Sequence, residues 1–487
     1  MTDYKAKRPA WILPLAATAA SGGLYYFSLG LEGYRALAWI APLPILSVAA
    51  DVRPRIAALA AFSAYLLGAL NLIPYLSRLV PLPVLLAILV VPSAVFATAT
   101  SAFRSALTRE RLVEATLVFP ATWTSYEFIL SLLSPHGTAG SIAYSQADFL
   151  KLIQVCSLTG IWGVTFLLMF VPAGIAAAWH LRRKWKRSVP VALGTLALLT
   201  LALLYGSIRA TNSVDRKALN VGLIASDTTQ RYFDTTIPDQ ALGVTRAFVQ
   251  QVDQLKRLGA EIVMLPEKCV GITQEDSAEV IRTLRDAAET AKVTIIAGLN
   301  LITPAYRRNV ALTIADRGTP LACYDKAFPI PGIESGYRRG TSITLFPVKG
   351  TTAGLLICKD MDFPGWVRHY ERAGARILFV PAWDFGEDAW LHSRMAILRG
   401  VELGCAVVRC ASEGLLSVSD YRGNVVETRS SGLQTSSLIA QILPGPGKTL
   451  YSIAGDWFAW INIATLAIIL GRNVKSWRRK RSCEKEL

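Results

Sequence analysis

The sequence predicts a multi-span α-helical membrane region joined to an α/β layered domain, and three observations carry that reading. Hydrophobic residues fill 52% of the 487 positions and the mean hydropathy is positive, more apolar than an ordinary soluble protein. Those residues are unevenly placed. Leu, Ala, Ile, Val and aromatic runs dominate 10–207 and return at 453–471, whereas 208–452 has globular composition. Within that middle stretch, short β-branched runs alternate with amphipathic helical patterns, as in an α/β domain whose reactive residues sit at strand ends. The chain divides accordingly into a seven-span membrane domain (1–207), a soluble domain (208–452), and a final span with a basic tail (453–487).

About 20 apolar residues cross a bilayer core. Stretches of that kind lie near 11–29, 34–50, 55–76, 79–103, 113–133, 153–179, 189–207 and 453–471. Eight spans result; seven is the alternative count, because the second is short and the fifth carries Glu114 and Glu127. The first span follows a short basic stretch and is read as a retained anchor, since further spans follow it.

Lys and Arg near span ends set the orientation, because they stay in the cytoplasm. Alternate ends carry Lys5, Lys7 and Arg8; Arg53 and Arg55; Arg104, Arg109 and Arg111; then Arg182, Arg183, Lys184, Lys186 and Arg187. The C-terminal end adds Arg472, Lys475, Arg478, Arg479, Lys480, Arg481 and Lys485. The opposite ends hold only Arg35, Arg78 and Lys151. Both termini are therefore expected in the cytoplasm and the 208–452 domain outside. That domain has 28 basic and 25 acidic residues, so most of the formal charge of +16 belongs to the membrane region and its ends. The basic balance reports topology and contact with anionic lipid heads, and no basic-aromatic pattern points to nucleic acid.

Five of the seven cysteines fall in the outer domain: Cys269, Cys323, Cys358, Cys405 and Cys410. An odd number leaves at least one unpaired in an oxidising space. No CxxC or HExxH pattern occurs and the four histidines are scattered, so neither a metal site nor a cofactor is expected.

Taken in order, the outer domain opens with a strand at 218–225 and an amphipathic helix at 245–259, closed by glycine. EIVMLPE (261–267) is a strand and 276–292 a helix. The strands VTIIAGLN, NVALTIAD, PLACYDK and AGLLICKD follow, then a helix through WVRHYERAG and the strand ARILFVPAW. A helix over AWLHSRMAILRGVELG precedes CAVVRCAS and the hairpin LLSVSDYRGNVVET.

Three of these strands end in groups that chemistry can use: Glu267, Lys326 and Cys358. A cysteine that merely fills space belongs among apolar neighbours, yet Cys358 is followed by Lys359, Asp360 and Asp362. Cysteine attacks as thiolate, so its thiol needs a lowered pKa or a base. Glu267 can accept that proton and return it, and Lys326 can stabilise the oxyanion of a tetrahedral intermediate, with the Lys359 N–H as second donor. Read singly, Glu267 caps a turn, Lys326 is a solvated strand end beside Asp325, and Cys358 is core; read jointly, they make an acyl-transfer site.

Glu after LPE, Lys in YDK and Cys closing an apolar strand resemble the Glu-Lys-Cys triad of the nitrilase superfamily. With spans before and after the domain, the chain resembles that superfamily's membrane branch, the bacterial apolipoprotein N-acyltransferases. FPATWTSYEF (119–128) and GSIAYSQADFLKLIQVCSLTGIWGVTFL (140–167) look like that family's fifth and sixth spans with the loop between them, and AWDFGEDAWLHSRMAILRGVELG (382–404) and YRGNVVET also match. The resemblance implies an α-β-β-α sandwich in the multi-pass cytoplasmic membrane, facing the periplasm. It implies that Cys358 takes an acyl chain from a phospholipid donor as a thioester. The chain then passes to the N-terminal amine of a diacylated apolipoprotein acceptor. Glu334, in AFPIPGIE, matches a further active-site glutamate of the family.

Two departures stand out. The family usually follows its cysteine with Tyr-Glu, and here Lys359 and Asp360 do so; the first strand reads Ala225-Ser226 where Gln-Gly is usual. Asp360 keeps a carboxylate on a shorter arm, and the Lys359 ammonium is expected to lower the thiol's pKa. Trp366, Trp383 and Phe385 are candidates for a lipid-facing mouth, with core packing or interfacial anchoring as the competing role. Glu127 is either an intramembrane functional carboxylate or an interfacial one. The other outer-domain cysteines and His392 read as structural. A membrane-anchored amidase or hydrolase, and a silent lipoprotein-binding paralogue, remain as alternative functions.

Overall fold

The computed structural model describes residues 11–211, 217–228, 237–273 and 275–483, the side chains of Pro238 and of 473–483 apart. Lys5, Lys7, Arg8 and Lys485 of the charge pattern lie outside the described residues, as do the side chains of Lys475, Arg478, Arg479, Lys480 and Arg481. The six described free cysteines, Cys156, Cys269, Cys323, Cys358, Cys405 and Cys410, form no disulfide.

Helices occupy every predicted span. Those over Pro54–Leu79, Leu82–Thr108, Ile161–His180 and Trp185–Thr211 are long and apolar enough to cross a membrane. Helices also cover Ile12–Ser28, Leu112–Leu133 and Trp457–Cys483. Two predicted spans are corrected. The 34–50 stretch is broken into Arg35–Ile40 and Leu43–Ala49, because Pro42 and Pro44 lack the N–H an unbroken helix needs. The 153–179 stretch starts its long helix only at Ile161. Gly160 adopts a φ of 67° just before it, and the Ile161 N–H, left without an intrahelical partner, donates to Glu402 Oε1 at 2.8 Å.

The α/β domain, 208–452, is two sheets face to face. The first contains β1 (Leu219–Ala225), β2 (Ile262–Met264), β3 (Val270–Thr273), β4 (Thr294–Ile302), β5 (Arg307–Ile314) and β6 (Pro320–Asp325). The second contains β7 (Thr344–Val348), β8 (Thr351–Leu355), β9 (Ile377–Trp383), β10 (Ala406–Ser412), β11 (Leu415–Ser419) and β12 (Val425–Ser430). The last strand, β13 (Ser436–Ile442), returns to the first sheet, whose order is β13-β1-β2-β4-β5-β6 with β3 beside β4; the second runs β12-β11-β10-β9-β8-β7.

Alternation along the strands builds the layers. Leu223, Met264 and Ile296 face Leu355, Phe379 and Val408 in the core between the sheets. The neighbouring Val263 and Ile295 point the other way, against Phe248, Val252 and Leu284 of helices Pro238–Arg257 and Ser277–Ala291. Helices Pro364–Arg372 and Ala389–Leu403 join the second sheet through Val367, Tyr370, Ala396 and Leu403. The expected α-β-β-α sandwich is present. Strands β3, β7 and β13 were not legible; β7 carries Pro347, and its edge position tolerates the missing donor.

Parallel pairing sets the site. β1, β2 and β4 run parallel in one sheet, and β8, β9 and β10 in the other. Their C-terminal ends meet, and the Glu267 N–H donates to the Ala382 carbonyl across the sandwich at 3.2 Å. Gly298 on β4 lets the Pro266–Glu267 segment lie directly against that strand, because a Cβ there would collide with the Pro266 carbonyl.

Candidate active site

All four expected catalytic side chains are sealed from solvent: Glu267, Lys326 and Glu334 are each 1% exposed and Cys358 is 7% exposed. Lys326 follows β6, and its ammonium donates to Glu267 Oε1 at 2.8 Å and Glu334 Oε2 at 2.9 Å. Burial opposes a charge on Lys326, but the two carboxylates hold its pKa well above the ordinary value, the result expected when opposite charges face each other away from water. Burial likewise opposes a charge on Glu334, yet Lys326 and Lys268 hold its pKa below the usual range.

Two residues that sequence reasoning missed complete this array. Asn309 on β5 donates through one amide group to Glu267 Oε1 at 2.6 Å and Glu334 Oε1 at 3.0 Å. Lys268, next to Glu267, has φ 48° and turns its ammonium to Glu334 Oε1 at 2.8 Å. The same ammonium lies 5.2 Å from the Tyr337 ring centroid and 4.9 Å from that of Trp383. Asn309 heads the run NVALTIAD, where a polar residue entering a strand was the available signal; Lys268 offered none beyond adjacency to Glu267.

Cys358 opens a 3-10 turn, Cys358–Asp362, with φ 44°. A non-glycine residue in the left-handed region costs about 1–3 kcal/mol and persists only where its surroundings impose it. Here they do. Asp360 accepts from Ile357 N (2.9 Å), Ala327 N (3.1 Å), Phe328 N (2.9 Å) and Tyr324 Oη (2.7 Å), tying the turn to the segment after Lys326. Burial nonetheless raises its pKa to about 6. The Cys358 thiol faces the Trp383 carbonyl at 3.5 Å. Burial pushes its pKa well above the ordinary value, Glu267 adds to the rise, and Lys326 opposes it. The resting sulfur is a thiol, so attack requires a base.

The Lys359 ammonium, expected to act on the thiol, has partners of its own: it turns to Asp362 Oδ2 at 3.2 Å and His136 Nδ1 at 3.1 Å. Of the three aromatic candidates, Trp383 sits against the sulfur through its carbonyl, and Phe385 is exposed. Trp366 instead meets Tyr324: its indole N–H donates to the Tyr324 oxygen at 3.2 Å, behind Asp360.

A family model described as the apolipoprotein N-acyltransferase N-terminal domain matches residues 21–174. One described as carbon-nitrogen hydrolase matches 238–438. Apolipoprotein N-acyltransferase from Geobacter metallireducens is 23% identical, over 92% of this chain and 93% of its own. The helical region is thus similar to the N-terminal domain of the apolipoprotein N-acyltransferases, and the α/β domain to the carbon-nitrogen hydrolases. The Bradyrhizobium diazoefficiens enzyme of the same name is 26% identical over 68% of each chain. Among solved structures, an amidase from Nesterenkonia sp. is 18% identical and covers 47% of this chain and 92% of its own, with a TM-score of 0.41.

His392, on helix Ala389–Leu403, joins a polar cluster beside the site. Asp384, Asp388 and His392 bring one ligand atom each within 4.8 Å of one another, but the group is already engaged. Arg409 donates to both Asp384 oxygens, one bond being 2.9 Å. Asp388 accepts from the Phe385 N–H at 2.9 Å and from the Tyr75 hydroxyl at 2.5 Å, and His392 Nε2 lies 3.1 Å away. Tyr75 belongs to helix Ile73–Leu79, so the cluster ties the membrane region to the loop after Trp383.

Proposed function

We propose that this chain is an N-acyltransferase that moves a fatty acyl chain from a phospholipid, through a Cys358 thioester, to the N-terminal amine of a diacylglyceryl-cysteine lipoprotein. The observation that carries this reading is the convergence of Cys358 with the Glu267–Lys326 pair at the joined strand ends of a domain anchored by apolar helices. In the first half-reaction Glu267 accepts the thiol proton as sulfur attacks the ester carbonyl. The Lys326 ammonium and the Lys359 N–H stabilise the oxyanion. Collapse expels the lysophospholipid alkoxide, which takes the proton back from Glu267.

In the second half-reaction the neutral α-amine attacks the thioester carbonyl. Glu267 removes a proton from the nitrogen and delivers it to the departing sulfur, so thiol and carboxylate are restored. Glu334, Asn309 and Lys268 hold the charges in place. Trp383 and Phe385 border the route by which acyl chains reach the sulfur. The domain stands on the outer face of the cytoplasmic membrane above its apolar helices, where both lipid substrates are confined, so tethering raises their local concentration.

Purified protein with acyl-labelled phospholipid and a diacylated lipopeptide tests the reading. Label moves first to the Cys358 peptide and then to the lipopeptide amide. Label recovered only as free fatty acid replaces transfer by hydrolysis.

A further inference from the structure

We propose that the segment 134–146, between helix Leu112–Leu133 and the next membrane-region helices, braces the nucleophile's turn, with Thr138 as a positioning residue for Cys358. The Thr138 N–H and its Oγ1 hydroxyl both donate to one acceptor, the carbonyl of Asp362 that closes the Cys358–Asp362 turn, at 3.0 and 2.8 Å. Thr138 is 3% exposed. Before it, Gly137 has φ 51°, and a Cβ there would collide with the Asp362 carbonyl, so the segment lies against the turn at main-chain distance. His136 contributes the third contact, through Nδ1 to the Lys359 ammonium.

The brace is anchored at its far end. Tyr144 Oη lies 2.6 Å from Thr138 Oγ1 and accepts from buried Arg399 at 2.7 Å. Glu127 accepts from Ile142 N (3.0 Å), Ser141 Oγ (2.7 Å), Thr165 Oγ1 (2.8 Å) and Trp123 Nε1 (3.0 Å). Glu127 is buried, and its carboxylate organises the brace through these four donors. The start of the turn is held by Asp360 from within the α/β domain, and its end is held from the membrane region. Cys358, in a left-handed conformation, is thus pinned from both bodies. A positioned nucleophile needs both, because a misplacement of about 1 Å can cost on the order of a hundredfold in rate.

The inference about rate rests on the proposed acyl transfer, whereas the inference about geometry does not, and the experiment separates them. Thr138→Val removes the hydroxyl at nearly constant shape, Thr138→Ser retains it, and Gly137→Ala displaces the segment. In full-length detergent-solubilised protein, iodoacetamide alkylation of the Cys358 peptide is followed by mass spectrometry beside acyl-transfer kcat and KM and Tm. Thr138→Val is expected to lower kcat about tenfold, the size of one hydrogen bond, with KM and Tm little changed and Cys358 alkylating faster. Thr138→Ser restores both readouts, and Gly137→Ala exceeds Thr138→Val. Wild-type alkylation and kcat in Thr138→Val overturn the proposal, as does a loss that tracks Tm and is not rescued by Ser. Altered alkylation in a protein whose wild type transfers no acyl group keeps the brace and removes the function.

Discussion

The Lys326 ammonium lies 2.8 Å from Glu267 Oε1, with both side chains buried at the joined ends of two sheets. In the proposed mechanism the pair joins a base to a charge that an oxyanion can use, and Asn309 and Glu334 hold the two groups by hydrogen bonds. Lys326→Met is expected to lower kcat for thioester formation by about 10²–10³, the usual loss for an oxyanion donor. Burst measurements with labelled phospholipid check it, and a kcat within a fewfold of wild type would remove Lys326 from the chemistry.

The thiol's environment makes a pH prediction. Burial and the Glu267 charge raise the Cys358 pKa, so at neutral pH the sulfur is protonated and alkylation quickens as pH rises through the alkaline range. Glu267→Gln removes a charge that raises the pKa, and the alkylation midpoint must therefore move to lower pH while acyl transfer is lost. An unchanged midpoint would mean that Glu267 does not face the sulfur.

Lys359 gives the complementary case. Its ammonium is committed to Asp362 and His136, so Lys359→Met should leave the midpoint of Cys358 alkylation where it is. A shift of one unit, equivalent to about 1.4 kcal/mol between protonation states, would return Lys359 to the thiol's electrostatics.

Arg409 and Asp384 form a buried pair beside the site. Arg409→Leu strands the carboxylate and is expected to cost about 3–5 kcal/mol, read as a lowered Tm in detergent. Adding Asp384→Leu should recover much of that loss. A double variant less stable than the single one would show that the pair contributes more than mutual neutralisation.

The apolar spans, the two-sheet domain and the candidates Glu267, Lys326 and Cys358 were legible because each rests on local pattern: hydrophobic length, strand alternation, and charge at the end of an apolar run; Glu334, in a Pro/Gly-rich loop, stood out only through the family resemblance. Three strands were not, since Pro347 masks β7 and the four-residue β3 is too short to show alternation. Asn309 and Lys268 were invisible for another reason. Their roles depend on which strand ends meet, and no spacing along the chain encodes that.

Lys359 shows the limit most clearly. Adjacency in sequence places an ammonium beside a thiol, but a left-handed Cys358 and a tight 3-10 turn send the two side chains to different partners. By itself, then, the sequence determined the membrane-anchored α/β architecture and the chemical groups available. Only the tertiary structure decided which charges face the sulfur, because charge interactions act through distance and burial, and long-range packing sets both.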